Sequence, residues 1–202
     1  MTESRPTRVA VVYYSATGTN AAVAEAVAAG AAATGAETRI RLVAETAPPA
    51  AIASNPAWKA FVDAHADNPR ATPDDLVWAD AIAFGSPTRF GNIAAQLKAF
   101  IDTLGGVWYH GKLANKVYAG FTSAQNTHGG QESTLLALYN TIHHFGGIIA
   151  TPGYTDASVF ASGGNPYGAS VTVGQGQPPT EADMAHARYL GQRLALLAGR
   201  LR

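Results

Sequence analysis

A chain of 202 residues with 14 basic and 14 acidic side chains and no cysteine has room for one domain, residues 1–202, and no disulfides, thiolate metal sites or thiol nucleophiles. Zero net charge without a basic run argues against nucleic acid or an anionic membrane as a partner. The apolar stretches fall short of the ~18 residues of a membrane span, and the opening residues lack the pattern of a signal peptide, so the reading is a soluble cytoplasmic protein.

Val9 to Tyr14 is a near-continuous apolar run, the mark of a strand covered on both faces as in parallel sheets. Asn20 to Thr34 follows as an Ala-rich helix that stops at Gly35. Glu37 to Val43 alternates and reads as a second, more exposed strand; Ala79 to Gly85 reads as a third. Ile93, Leu97, Phe100, Ile101 and Leu104 form the stripe of a packed helix. Val117 to Phe121 is a fourth strand, Leu135, Leu138, Ile142 and Phe145 mark another helix face, and Gly147 to Ala150 is a short fifth strand. Thr180 and Asp183 resemble a capping box opening a last helix that runs to about Leu201. Strands alternating with helices imply an α/β fold: a doubly wound five-stranded parallel sheet with helices on both faces. Two segments break the pattern and read as insertions on the one domain, at about 44–73, with five of the chain's 11 prolines, and at about 154–179, rich in Gly and Pro.

In such sheets ligands sit beyond the carboxyl ends of the strands. The first loop there is Ser15, Ala16, Thr17, Gly18, Thr19 and Asn20. Its hydroxyls, its glycine and the free N–H groups of a helix start suit a phosphate dianion without any cation; an ordinary N-cap explains the same residues. The pattern of a P-loop and the G-x-G-x-x-G of a Rossmann turn are both missing. The second loop holds Pro87, Thr88, Arg89, Phe90, Gly91 and Asn92, a shaped turn able to present backbone groups to a flat ring, with Phe90 placed to pack on it. The third runs from Thr122, Ser123, Ala124, Gln125 and Asn126 to Gly129, with His128 read as a solvated loop residue. No metal-ligand spacing and no G-x-S-x-G nucleophile elbow is present.

Taken together, Tyr13-Tyr14-Ser15 with Gly18, Gly85 to Asn92, Gly105 to Trp108, Gly129 to Glu132, His143-His144, Gly153-Tyr154, Gly163 to Ala169 and Ala187 to Tyr189 resemble the WrbA family of FMN-dependent NAD(P)H:quinone oxidoreductases. The resemblance spans nearly the whole chain. It implies a flavodoxin-like fold and one cofactor, FMN. The phosphate would lie on residues 15–20, the isoalloxazine along 87–92, and its other side within 123–129. It further implies Trp108 as a wall of the substrate pocket, His144 near the flavin's pyrimidine end, NAD(P)H and a quinone as substrates, ping-pong kinetics and a homotetramer. The residues leave open a flavodoxin-type FMN carrier with no substrate of its own, although neutral charge and long insertions speak for an enclosed pocket.

Overall fold

The computed structural model describes residues 5–174 and 177–202. Four long strands, β1 (Arg8–Tyr13), β2 (Glu37–Leu42), β3 (Ala81–Pro87) and β4 (Val117–Ala124), pair in parallel in the order β2-β1-β3-β4. The fifth position is split. β5 (Ile148–Ile149) pairs with Val117 and Tyr118 of β4, and β6 (Ala169–Thr172) pairs with Phe121 to Ala124 along the same edge. The expected five-stranded doubly wound sheet is therefore present, its last strand interrupted by the second irregular segment.

That segment is not structureless. It carries β6 and the short helix α8 (Ala157–Ala161) and leads to α9 (Glu181–Arg200), which opens with the expected capping box, Thr180 Oγ1 accepting from the Asp183 amide at 3.2 Å. Residues 175–176 of the segment lie outside the described residues. Side chains from one face of α9 hold it down: Tyr189 Oη meets Thr155 Oγ1 at 2.5 Å, Arg193 Nε donates to the Thr151 carbonyl at 2.7 Å, and His186 Nδ1 meets Ser162 Oγ at 2.8 Å. The first irregular segment forms α2 (Pro49–Ala53) and α3 (Pro56–Ala64), then enters α4 (Pro73–Trp78). No helix among the described residues is long and apolar enough to cross a membrane.

The strands' two-residue period divides the core. Val9, Val11, Ala81, Ala83 and Ala119 face α1 (Thr19–Ala32) and α9; Ala10, Val12, Ile82, Phe84 and Tyr118 face α5 (Ala95–Asp102) and α7 (Gln131–Phe145). On the first face small residues let α1 and α9 come into backbone contact. A Cβ on Gly191 would lie 1.9 Å from the Val27 carbonyl oxygen, and one on Gly30 1.9 Å from that of Arg188. α1 is in this way locked to the sheet with its N-terminus at the carboxyl edge. On the other face Asp75 is buried inside the capping box of α4 and paired with Arg41 at 3.0 Å and Arg39 at 3.2 Å, which explains why the edge strand β2 carries two arginines.

His186 gives the fold a pH dependence. Burial pushes its imidazole down to about 4, against the opposing fields of Asp183 and Asp156. The unfolded chain takes up the proton near pH 6.5 while the folded one does not. Its neutral form therefore stabilises the fold fully above that pH, and the contribution drains away as the pH falls toward 4. The expected loss is about 3 kcal/mol. Urea unfolding at pH 7 and pH 4.5 measures it, and the His186→Gln variant should lose most of the difference.

Candidate functional site

β1, β3 and β4 are consecutive in the sheet, so their carboxyl ends stand side by side across about 10 Å. The chain turns to β2 on one side of β1 and to β3 on the other, which makes the crevice above β1 and β3 the switch point of the topology. Tyr14 N donates to the Gly85 carbonyl at 2.9 Å, setting the first loop beside the second. Thr88 N donates to the Ser123 carbonyl at 2.9 Å, and Thr88 Oγ1 to that of Gly129 at 3.2 Å, setting the second beside the third. The three loops read from the sequence converge in one place.

The first loop makes a compact turn in which Gly18 N donates to Ser15 Oγ at 3.0 Å. Gly18 then serves as the N-cap of α1 with φ 100°, a backbone conformation open to glycine, and no side chain caps the helix. Among the described residues the amides of Thr17, Thr19, Asn20 and Ala21 meet no acceptor. Asn20 is 1% exposed, yet its Oδ1 has no partner there. Free N–H groups and two threonine hydroxyls at the positive end of a 14-residue helix are the donors that suit a phosphate dianion; the orphaned Asn20 oxygen is an acceptor and adds nothing to them. These residues fit the phosphate end of FMN.

The second loop closes on itself. Arg89 N donates to the Asn92 carbonyl at 2.8 Å and Asn92 N to that of Arg89 at 3.0 Å. Phe90 and Gly91 occupy the middle with φ 54° and 75°. A positive φ at a bulky aromatic residue is a strained choice, and Phe90 is fully exposed. The ring gains no burial within this chain in return for its strain, which marks Phe90 as a residue kept for contact with something else. Ser86, part of the Gly85 to Asn92 stretch but not among the expected site residues, holds the base of the loop: it is buried, and its Oγ accepts from Ala94 N at 2.7 Å. Pro87 ends β3 and is buried as well.

The third loop departs from the expectation at its base. β4 runs on to Ala124, so Thr122 to Ala124 are strand, not loop. Thr122 is completely buried and its hydroxyl donates to the Ser86 carbonyl at 2.7 Å, so its side chain braces the second loop and is not open to a cofactor. Ser123 and Ala124 are buried too and offer backbone at the rim. Gln125, Asn126 and His128 are exposed. Gly129 can carry no side chain without meeting Ala124 and Asn126, its Cβ position lying 2.5 Å from the Ala124 Cβ. Gln131, unremarked as a site residue from sequence, pins this loop: its Nε2 donates to the Asn126 carbonyl at 2.9 Å and to Thr172 Oγ1 of β6 at 3.0 Å.

Trp108 and His144 do not join these loops within one chain. Trp108 lies in α6 (Gly105–Tyr109) and its Nε1 donates to the His144 carbonyl at 2.7 Å, so the two are together. Both are exposed, near the end of α7. α7 leaves the third loop at Gly130 and runs back along the sheet, which puts His144 about 20 Å from that loop. A helix that follows a parallel strand must return to the opposite edge, and the place of Trp108 just after Gly105 and Gly106 in the sequence does not reveal it.

Fold and loops define a flavodoxin-like α/β protein whose switch-point loop offers free amides and hydroxyls. Comparison with known proteins narrows this. A family model described as NADPH-dependent FMN reductase matches residues 7–160. A NAD(P)H dehydrogenase (quinone) of Deinococcus radiodurans is 53% identical over 97% of this chain and 98% of its own. Another, of Cupriavidus metallidurans, is 44% identical over 96% and 98%. Among solved structures, a flavodoxin, WrbA-like protein of Agrobacterium tumefaciens matches with a TM-score of 0.69 at 24% identity, over 97% of this chain and 99% of that one. An archaeal flavodoxin matches at 0.62 and 19%, over 95% and 99%. The chain belongs to the NADPH-dependent FMN reductase family, and its curated relatives there are NAD(P)H dehydrogenases (quinone).

Proposed function

We propose that this chain is an FMN-dependent NAD(P)H:quinone oxidoreductase that works by a ping-pong scheme as a homotetramer. The observation that carries the reading is the set of free amides of Thr17, Thr19, Asn20 and Ala21, in a loop tied beside the second, which is tied in turn to the third. When bound, FMN supplies the redox chemistry, accepting two electrons from NAD(P)H and yielding them to a quinone. The residues of the chain bind, orient and enclose. Ser15, Ala16, Thr17, Gly18, Thr19 and Asn20 hold the phosphate. Thr88 to Asn92 lie along one side of the ring, and Ser123 to Gly129 along the other. No side-chain nucleophile is required.

The homotetramer accounts for Trp108 and His144. Tied to each other and exposed at the far end of α7, they serve the crevice of a neighbouring copy, Trp108 as a stacking wall and His144 as a polar group beside the ring. The exposed Phe90 finds its contact at the same boundary. A cytoplasmic setting, where NAD(P)H is supplied, goes with this activity.

A flavin spectrum with steady-state kinetics tests the reading. The purified protein should take up FMN stoichiometrically, bleach on addition of NADH or NADPH, and recover its colour with benzoquinone. Double-reciprocal plots at several quinone concentrations should be parallel. A yellow protein that NAD(P)H does not bleach is a carrier and contradicts the enzyme; a protein that takes up no FMN contradicts both.

A further inference from the structure

The segment between β2 and α4 holds a carboxylate that the three loops do not account for. Glu45 follows β2 and lines, with Tyr14, Ser15, Phe61 and Arg70, a small cavity beside the first loop. Its carboxylate accepts five hydrogen bonds. Oε2 takes Tyr14 Oη and Trp58 Nε1, each at 2.9 Å. Oε1 takes Gln96 Nε2 at 2.7 Å and the amides of Thr46 and Ala47, each at 2.9 Å. The donors come from the end of β1, from Glu45's own turn, from α3 and from α5. Burial opposes the charge, but the bonds from Ala47, Gln96, Tyr14 and Trp58 outweigh it and hold Glu45 below the ordinary carboxylate range. Among the described residues no cation forms an ion pair with it. A half-buried charge satisfied by dipoles alone is a demanding arrangement, and it orients every donor that joins it.

What the carboxylate holds in place is α3. Three residues beyond Trp58, Phe61 is buried and stacks on His65 with ring centroids 4.0 Å apart. A Cβ on Gly18 would meet the Phe61 ring at 3.7 Å, so α3 stands as a back wall directly against the turn that opens α1. Tyr14, the other partner on Oε2, is the residue before Ser15.

We infer that Glu45 is a positioning residue: by gathering Tyr14, Trp58 and Gln96 on one carboxylate it fixes α3 and Phe61 against the first loop, and so keeps the free amides of Thr17, Thr19, Asn20 and Ala21 arranged for a phosphate dianion. The inference rests on the flavin reading above. Glu45 acts through the loop without touching the cofactor, so its influence falls on the phosphate end. Riboflavin, which has the same ring and ribityl chain but no phosphate, depends on the other two loops and is the probe that separates the effects.

The experiment titrates wild type, Glu45→Gln and Trp58→Phe, each stripped of flavin, with FMN and with riboflavin, following flavin fluorescence. Glu45→Gln keeps the volume but leaves one acceptor oxygen for two sets of donors; Trp58→Phe removes a single N–H. FMN affinity should fall at least about tenfold in Glu45→Gln and about threefold in Trp58→Phe, as loss of one or more buried hydrogen bonds implies. Riboflavin affinity should change less than about twofold, so the preference for FMN shrinks. Equal losses for both flavins, or a preference that stays or grows once the carboxylate's charge is gone, overturn the inference and leave the flavin reading standing. Should Glu45→Gln fail to fold, Trp58→Phe decides on the same criterion. Wild type that binds no FMN overturns the flavin reading and this inference together.

Discussion

Gly18→Val should all but abolish FMN binding, raising the Kd at least about 100-fold, equivalent to roughly 3 kcal/mol. Gly18 sits at φ 100° at the point where the first loop becomes α1. A β-branched residue there carries on the order of 1–3 kcal/mol of backbone strain, and the chain relieves it by turning the following amides away from their common focus. The side chain also grows toward Phe61, 3.7 Å from the Cβ position. Gly35 supplies the control. It too has a positive φ, 85°, but it lies at the opposite edge of the sheet with nothing within 4 Å of its Cβ position. Gly35→Val should cost comparable stability and leave FMN affinity within about twofold of wild type. Fluorescence titration of the two variants checks this, and equal loss of FMN from both would show that strain rather than the seat is being measured.

The second large effect concerns α1 and α9. Gly191→Ala should destabilise the fold by about 3 kcal/mol, at the upper end of what a single added methyl costs in a packed interior. The added Cβ falls 1.9 Å from the Val27 carbonyl oxygen and 3.0 Å from Ala31 N, both backbone atoms that no rotamer change can move. The helices must separate, and contacts along the whole interface loosen. For a chain of this size that is a fall in Tm of roughly 10 °C. Thermal unfolding monitored by circular dichroism measures it. Because α1 carries the phosphate seat at its N-terminus, FMN should also bind less tightly to this variant although residue 191 lies far from the loops. A Tm unchanged by the methyl would mean that the two helices are not in backbone contact at Gly191.

The elements legible in the sequence were those with strong local signals. Continuous apolar runs gave β1, β3 and β4, and the stripes through Leu97 and Leu138 gave α5 and α7. β6 escaped because Ala169-Ser-Val-Thr172 follows a Gly-rich stretch and is only four residues long; its place is set by pairing with β4 rather than by its own pattern. The split strand follows from the same fact, since neither half has enough sequence to announce itself. At the site, the three loops were readable because small polar residues and glycines cluster where strands end. The placement of Thr122 was not: a threonine at a strand end looks alike whether its hydroxyl faces a ligand or, as here, the Ser86 carbonyl. The left-handed backbone at Phe90 runs against its residue type, so no propensity foretells it. Glu45 is joined to positions 14, 58 and 96, and hydrogen bonds across such separations leave no periodic trace. Trp108 and His144 are each legible as site residues from the resemblance, but their contact with each other and the end of the sheet they occupy depend on the direction of α7.

A crystal structure of the protein grown with FMN addresses the central claim directly. The account predicts the cofactor's phosphate within hydrogen-bond distance of the Thr17, Thr19 and Asn20 amides, with no lysine or arginine of the chain on it and the ring between residues 88–92 and 123–129. A flavin bound away from the strand ends, or a phosphate held by basic side chains while those amides stay idle, would contradict it.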